Sequence, residues 1–373
     1  MKVWRPIARV VLGGFLLGCS ASDDGSQDNE MALRATEYNV LFSSASGPYT
    51  KKIAANPEGL HLNDTESISF STMAPSITHR EGSKIIMYQN TGDCDGNIVF
   101  YDFEDTTEFS TPVFSDLSSC TLGVTAVTQQ DNTVFLSYVI DVTAKEQVFF
   151  IRSFDLNTNT HKDYVLNKKP VKLAVSGAKL FVLTWDEHRT EKNALTILDI
   201  KENIEILEMD MGFNVGTMFK KTNGDIIVAY PDAHTTIDGN SLASTYTKYT
   251  TGTEPHFFNS EQRTFDATGN MYYLRSVALN NQPKASPAMH DFDKNSTVLY
   301  YFENFLNEAQ LRVEYNVKQA TTVSYDDVNN LIVIGYQKNN SAGGVIRITP
   351  APDLKLVDNF DLQDIPLLIF PTK

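Results

Sequence analysis

The chain has 373 residues and a formal net charge of −15, with 46 Asp and Glu against 31 Lys and Arg. An acidic balance of this size lacks the basic footprint that a phosphate backbone requires, which argues against nucleic acid as a partner. The length exceeds that of a typical single domain and no linker composition follows residue 35, so either one large all-β unit or a repeat is expected.

In chain order, the first element is an address. Lys2, Arg5 and Arg9 precede the short apolar run Val10 to Leu17, which ends at Gly18 before Cys19. The run is too short to span a bilayer, so residues 1–18 read as a cleaved signal. Leu16-Leu17-Gly18-Cys19 resembles a lipobox, whose cysteine carries acyl chains; each buried methylene contributes about 0.8 kcal/mol, so Cys19 is the expected lipid anchor. Removing 1–18 takes three cations and no acids, leaving 28 Lys and Arg against 46 Asp and Glu, a net of −18. Residues 19–35 are polar and acidic, with Ser22-Asp23-Asp24 close behind the cysteine, and read as a flexible tether.

From residue 36 onward one apolar hexamer recurs seven times: YNVLFS from Tyr38, SKIIMY from Ser83, TVFLSY from Thr133, LFVLTW from Leu180, DIIVAY from Asp225, NMYYLR from Asn270 and LIVIGY from Leu331. The starts lie 45, 50, 47, 45, 45 and 61 residues apart, a period that suits four strands per unit. Most hexamers follow turn clusters such as Arg80-Glu81-Gly82, Ser176-Gly177-Ala178 and Thr222-Asn223-Gly224, which supply the positive φ angles of tight hairpins. The hexamers are almost continuously apolar, and such strands must be covered on both faces, as strands of stacked blades are. An apolar-Asp step recurs further on, at Tyr101-Asp102, Phe154-Asp155, Leu198-Asp199 and Phe292-Asp293. A short helical insert over Asn304 to Val313 accounts for the long interval.

These readings predict a seven-bladed β-propeller over 36–373, each blade four-stranded, with the hexamer as second strand. The terminal run Ile365 to Phe370 has no strands after it, and the strand at Tyr38 lacks an inner neighbour, so the two termini are expected to complete one blade and close the ring. Six or eight blades, or paired sandwiches, are the alternatives.

All hexamers run the same way, so their last residues meet one rim: Ser43, Tyr88, Tyr138, Trp185, Tyr230, Arg275 and Tyr336. Loops are expected behind them at 89–96, 139–146, 186–193, 231–244, 276–286 and 337–344. Aromatic faces stack on sugars or flat aromatic ligands and a guanidinium pairs with anions, so Tyr88, Tyr138, Trp185, Tyr230, Arg275 and Tyr336 are the candidate ligand-binding residues. The competing reading is that tyrosine, a β-favoured residue, fills space between blades. Cys94 and Cys120, in an oxidising compartment, are expected to form a disulfide. Asp93-Cys94-Asp95-Gly96-Asn97 with Glu104 mimics a calcium loop, but its glycine is misplaced and an acidic hairpin is favoured. His188, His234, His256 and His290 show no metal-binding spacing, although His188 and His234 fall on expected rim loops. Neither GxSxG nor a phosphate-binding loop occurs; no catalytic residue, metal or cofactor is expected.

The Cys19 lipobox, the acidic run behind it and the seven repeats together resemble the surface propeller lipoproteins of Bacteroidota that partner TonB-dependent transporters, including those capturing ferric siderophores. The resemblance implies a monomeric, outer-membrane-anchored, surface-exposed protein that binds a siderophore or glycan and hands it to a transporter. A scaffold in an envelope complex and an extracellular hydrolase or lyase are the alternatives.

Overall fold

Seven separate four-stranded antiparallel sheets form the ring of a β-propeller in the computed structural model. It describes residues 33–372 apart from 45–46, 70–76, 93, 106, 118–120, 144–145, 188, 203 and 277–284. The signal segment, Cys19 and most of the tether therefore lie outside the described residues, as does Cys120. Cys94 is disulfide-bonded.

Numbered from residue 77, the first blade runs Ile77–Glu81, Lys84–Gly92, Asp95–Asp102 and Thr107–Pro112. The second runs Leu122–Gln130, Thr133–Thr143, Glu146–Asp155 and Thr160–Leu166, and the third Lys169–Ser176, Lys179–Trp185, Asn193–Asp199 and Ile204–Gly212. Blade four comprises Thr217–Lys220, Ile226–Ala229, Ala233–Ile237 and Ser244–Lys248; blade five comprises Arg263–Phe265, Met271–Ser276, Ala285–Asp291 and Ser296–Leu299. The sixth runs Val317–Asp326, Leu331–Lys338, Gly343–Ile348 and Leu356–Leu362. Each hexamer is the second strand of its blade.

The seventh blade is assembled from both ends of the chain. Ile365–Pro371 is its inner strand and pairs antiparallel with Thr36–Ser44, which continues into Gly47–Asn56 and Gly59–Ser69. The register sets Phe370 against Asn39 and Pro371 against Tyr38. A side-chain latch reinforces this closure: the Tyr38 hydroxyl donates to Asp326 of the sixth blade at 2.6 Å, and Asn329 binds the Arg34 backbone through both its amide groups.

The hexamers are apolar throughout because each faces a neighbouring sheet on both sides. Leu331 to Ile334 and Tyr336 are all fully buried. Tyr38, Val40 and Phe42 of blade seven pack with Val333 and Val345 of blade six, and Phe181 and Leu183 of blade three with Ile226 and Val228 of blade four. The turns ahead of the hexamers adopt left-handed backbone at Gly177 (φ 56°) and Gly224 (φ 91°), where a β-carbon would be strained.

The recurrent apolar-Asp step has a local cause. Asp102, Asp155 and Asp199 end the third strands of their blades, and each carboxylate accepts backbone N–H groups two or three residues on, closing the next hairpin. In the fifth blade Asp291 plays this part, accepting from Asp293 and Lys294, so the expected Asp293 lies two residues late. Asp238 does the same in the fourth. The long interval holds the expected insert, a short helical segment at Phe302–Asn304 and another at Gln310–Glu314, with Phe302, Leu306 and Leu311 buried against blade six.

Candidate ligand-binding groove

The rim residues meet two fates. Tyr88, Tyr138 and Tyr336 are buried, at 5%, 1% and 0% exposure, so the expectation that they face a ligand is corrected. Their rings fold over the next strand. A β-carbon on Gly344, directly opposite Tyr336, would lie 2.3 Å from its Cζ, and one on Gly96 would lie 2.2 Å from the Tyr88 oxygen; only glycine leaves room for these rings. The Tyr336 hydroxyl donates to Asn359 at 2.8 Å. Tyr138 stacks on Phe150 and meets Phe114 edge-on. Burial pushes all three hydroxyl pKa values up, that of Tyr88 to about 12.

In blades one and two the expected rim loops are shorter, because the hexamer strands overrun the predicted ends. In blade one the strands reach Gly92 and resume at Asp95, which makes the calcium-like run part of a hairpin; in blade two they reach Thr143 and resume at Glu146. Blade four turns at once: Tyr230 N–H donates to the Ala233 carbonyl, and 233–237 is a strand. His234 is therefore not a rim residue. It is buried with His290 among Tyr249, Phe257 and Phe292, its Nδ1 2.5 Å from the Tyr249 hydroxyl. Burial depresses both imidazoles, His234 to about 4 and His290 to about 3. His188 lies outside the described residues.

The remaining candidates stay open. Trp185 is 36% exposed, with Lys169 Nζ 5.8 Å from its ring centroid and Glu187 bonded to that lysine at 2.9 Å. Arg275 and Ser43 are half-buried; burial, and then the Arg275 charge, hold His256 below its usual value. Tyr230 forms one wall of a groove of about 670 Å³ between the third and fourth blades.

Residues that the sequence reading did not single out complete that groove. Met209, Asp210 and Met211 come from the outer strand of blade three, Phe213 and Asn214 from the connection after it, and Asp232 and Tyr246 from blade four. Phe213 and Tyr246 are 53% and 62% exposed, and the Tyr230 and Tyr246 ring centroids are 6.4 Å apart. The Tyr230 hydroxyl donates to the Met211 carbonyl at 3.0 Å, which ties the two blades together at the floor. Lys192 sits 5.7 Å from the Phe213 ring and bonds Asp210 at 3.0 Å. That contact, followed by the Gly212 N–H, holds the Asp210 carboxyl below the usual carboxylate range. The Asp232 carboxylate has no side-chain partner among the described residues. Nothing in the hexamer pattern marks Phe213 or Tyr246, since they lie on the outermost strand and the inter-blade link, where no periodicity applies.

A second cluster combines metal-ligand types. Ligand atoms of Asp116, His161 and Asp163 lie within 4.8 Å of one another. Fully buried Arg152, however, donates to both oxygens of both carboxylates, at 2.6 and 2.8 Å to Asp116 and 2.9 and 2.8 Å to Asp163. Its guanidinium already provides the counter-charge a cation would supply, so the set reads as an ion-paired clamp. Blade six repeats the motif at the same spacing, with buried Arg347 bound to Asp358.

The fold and site together define a seven-bladed propeller with an open aromatic groove between its third and fourth blades. Among solved structures, similar folds include a protein provisionally assigned as a 6-phosphogluconolactonase from Bacteroides uniformis, at 10% identity and TM-score 0.50 over 91% of this chain and 100% of that one. AztD from Citrobacter koseri aligns at 12% identity and TM-score 0.49 over 91% and 99%. Likeness at this identity establishes the propeller architecture alone. No protein-family model matches the chain, and no curated protein matches it.

Proposed function

We propose that the protein is a lipid-anchored propeller of the cell envelope that binds an extracellular glycan in the groove between blades three and four and presents it to an outer-membrane transporter. The observation that carries the binding site is the convergence of Phe213, Tyr230 and Tyr246 with the carboxylates of Asp210 and Asp232 around one open groove. Ring faces stack on the C–H faces of a sugar while carboxylates accept hydrogen bonds from its hydroxyls. An anionic ferric siderophore fits less well, because two carboxylates face it with only Lys192 to offset them. Anchoring through Cys19 and hand-over to a transporter rest on the leader and the acidic tether, and binding without catalysis is the reading adopted.

The test is a thermal-shift and calorimetric screen of the mature chain against oligosaccharides and ferric siderophores, with Tyr246→Ala and Asp232→Asn beside the wild type. A glycan should raise the melting point, and each variant should weaken it at least tenfold. A siderophore bound equally well by both variants would overturn the assignment, and chelator-sensitive turnover of a sugar would replace binding with catalysis.

One observation favours an interaction scaffold as a second reading. Ile204, Ile206 and Leu207 stand exposed on the outer edge strand of blade three, where charged residues normally guard against pairing. Co-purification of an envelope protein that is lost in Ile206→Lys, with the glycan response intact, would support that role.

A further inference from the structure

The seven inner strands carry a charge balance opposite to that of the chain. They hold Arg80, Lys169, Lys172, Lys220, Arg263 and Lys318 against only Glu81 and Asp326, whereas the whole sequence has 31 basic residues to 46 acidic ones.

Several of these residues meet across the ring. Lys220 of blade four bonds Glu81 of blade one at 2.6 Å, and Lys172 of blade three bonds Glu261, just ahead of blade five, at 3.0 Å. Gln262 donates to the Leu367 carbonyl of blade seven at 3.2 Å. None of these blades are neighbours, so the contacts span the central channel.

Beside these bridges stand two cations with no carboxylate partner among the described residues. Arg80, next to Glu81, lies over the Phe370 ring at 4.0 Å and donates to the Ile369 carbonyl at 3.3 Å. Arg263, next to Gln262, lies over Phe219 at 4.4 Å and donates to Thr217 at 3.2 Å and to the Ser260 carbonyl. Its Nε is buried without a partner, as is Oε1 of Gln262. Burial draws both guanidinium groups down to about 10, that of Arg263 in spite of the nearby Glu261 charge. Four cations, Arg80, Lys172, Lys220 and Arg263, thus face Glu81 and Glu261. The aromatic faces offset part of this excess, and the rest lacks a counter-charge in a setting where an unpaired ion is costly.

We propose that the central channel binds a small oxyanion, of the phosphate or carboxylate class, at the free Nε of Arg263, with Arg80 adding to the positive field of the channel. The guanidinium fork matches the geometry of both classes, and the free Arg263 Nε is a donor in place. This site is separate from the rim groove and does not depend on the glycan reading.

The experiment is thermal unfolding of the mature chain in inorganic phosphate, sulfate or acetate, against chloride at equal ionic strength and pH. At an anion concentration a hundredfold above Kd the midpoint should rise by roughly 4 °C. Arg263→Gln should abolish the rise, Arg80→Gln should reduce it, and Phe109→Ala, on the exposed outer strand of blade one, should keep it. A rise confined to phosphate and sulfate assigns a tetrahedral anion, and one with acetate assigns a carboxylate. A wild-type midpoint that is the same in all four salts overturns the proposal whatever the variants do, and so does a rise that persists in folded Arg263→Gln.

Discussion

Blades three and six place an aromatic residue near the same point of the same strand, and the outcomes are opposite. Tyr336 lies flat over Gly344 and bonds Asn359, sealed from water; Trp185 stands over Lys169, with Asn193 opposite it, and stays open. The difference lies on the partner strand. In this pair a glycine opposite lets the Tyr336 ring fold inward, while Asn193 leaves Trp185 at the rim; Tyr138 reaches burial by another route, stacked on Phe150 opposite it. A terminal aromatic is therefore a binding candidate only where neither a gap nor an apolar partner on the facing strands covers it.

The widest separation between covered and open regions should come from acid. His234 and His290 are buried, and their folded-state pKa values lie below the ordinary 6.5, at about 4 and about 3. As the pH falls the unfolded chain takes up protons first, so stability is complete above about pH 6.5 and declines through the window down to about pH 3. The loss should be on the order of 3 kcal/mol for each histidine, read as a falling urea midpoint between pH 7 and pH 4. A His290→Phe variant should flatten that slope; an unchanged slope would show that the pair does not govern it.

Tyr336→Ala should destabilise the fold by about 3–5 kcal/mol, the usual result of emptying a buried aromatic site, whereas a loss below about 1 kcal/mol by equilibrium unfolding would mean that the ring is not core. Gly344→Ala should cost about 1–3 kcal/mol, because the added carbon displaces the Tyr336 ring. Near-ultraviolet circular dichroism should show the freed tyrosine. The smallest effects belong to the open side. Trp185→Ala and Tyr246→Ala should alter stability by no more than about 0.5 kcal/mol, and a larger loss from Tyr246→Ala would make the groove a piece of core rather than a site.

The legibility of the sequence follows the same divide. The hexamers, the turn residues Gly177 and Gly224, and the closing strand at Ile365 could all be read because double coverage and tight hairpins each demand particular residue types at fixed intervals. The rim was read in part: Trp185 and Tyr230 do lie at accessible positions, while Tyr88 and Tyr138 do not. The Arg152 and Arg347 clamps went unread, although an arginine followed eleven residues later by aspartate in both blades was a usable signal.

Chain order by itself determined the number of blades, the strand that each hexamer becomes and the way the termini join, because hydrophobic period and turn chemistry are local properties that one strand and its hairpin already express. Only the tertiary structure decided which aromatics remain in water, that Phe213 and Tyr246 share a groove with Tyr230, and that Lys220 meets Glu81 across the channel. Those outcomes depend on what stands opposite each side chain once the ring closes, and residues 139 positions apart leave no mark on each other in sequence.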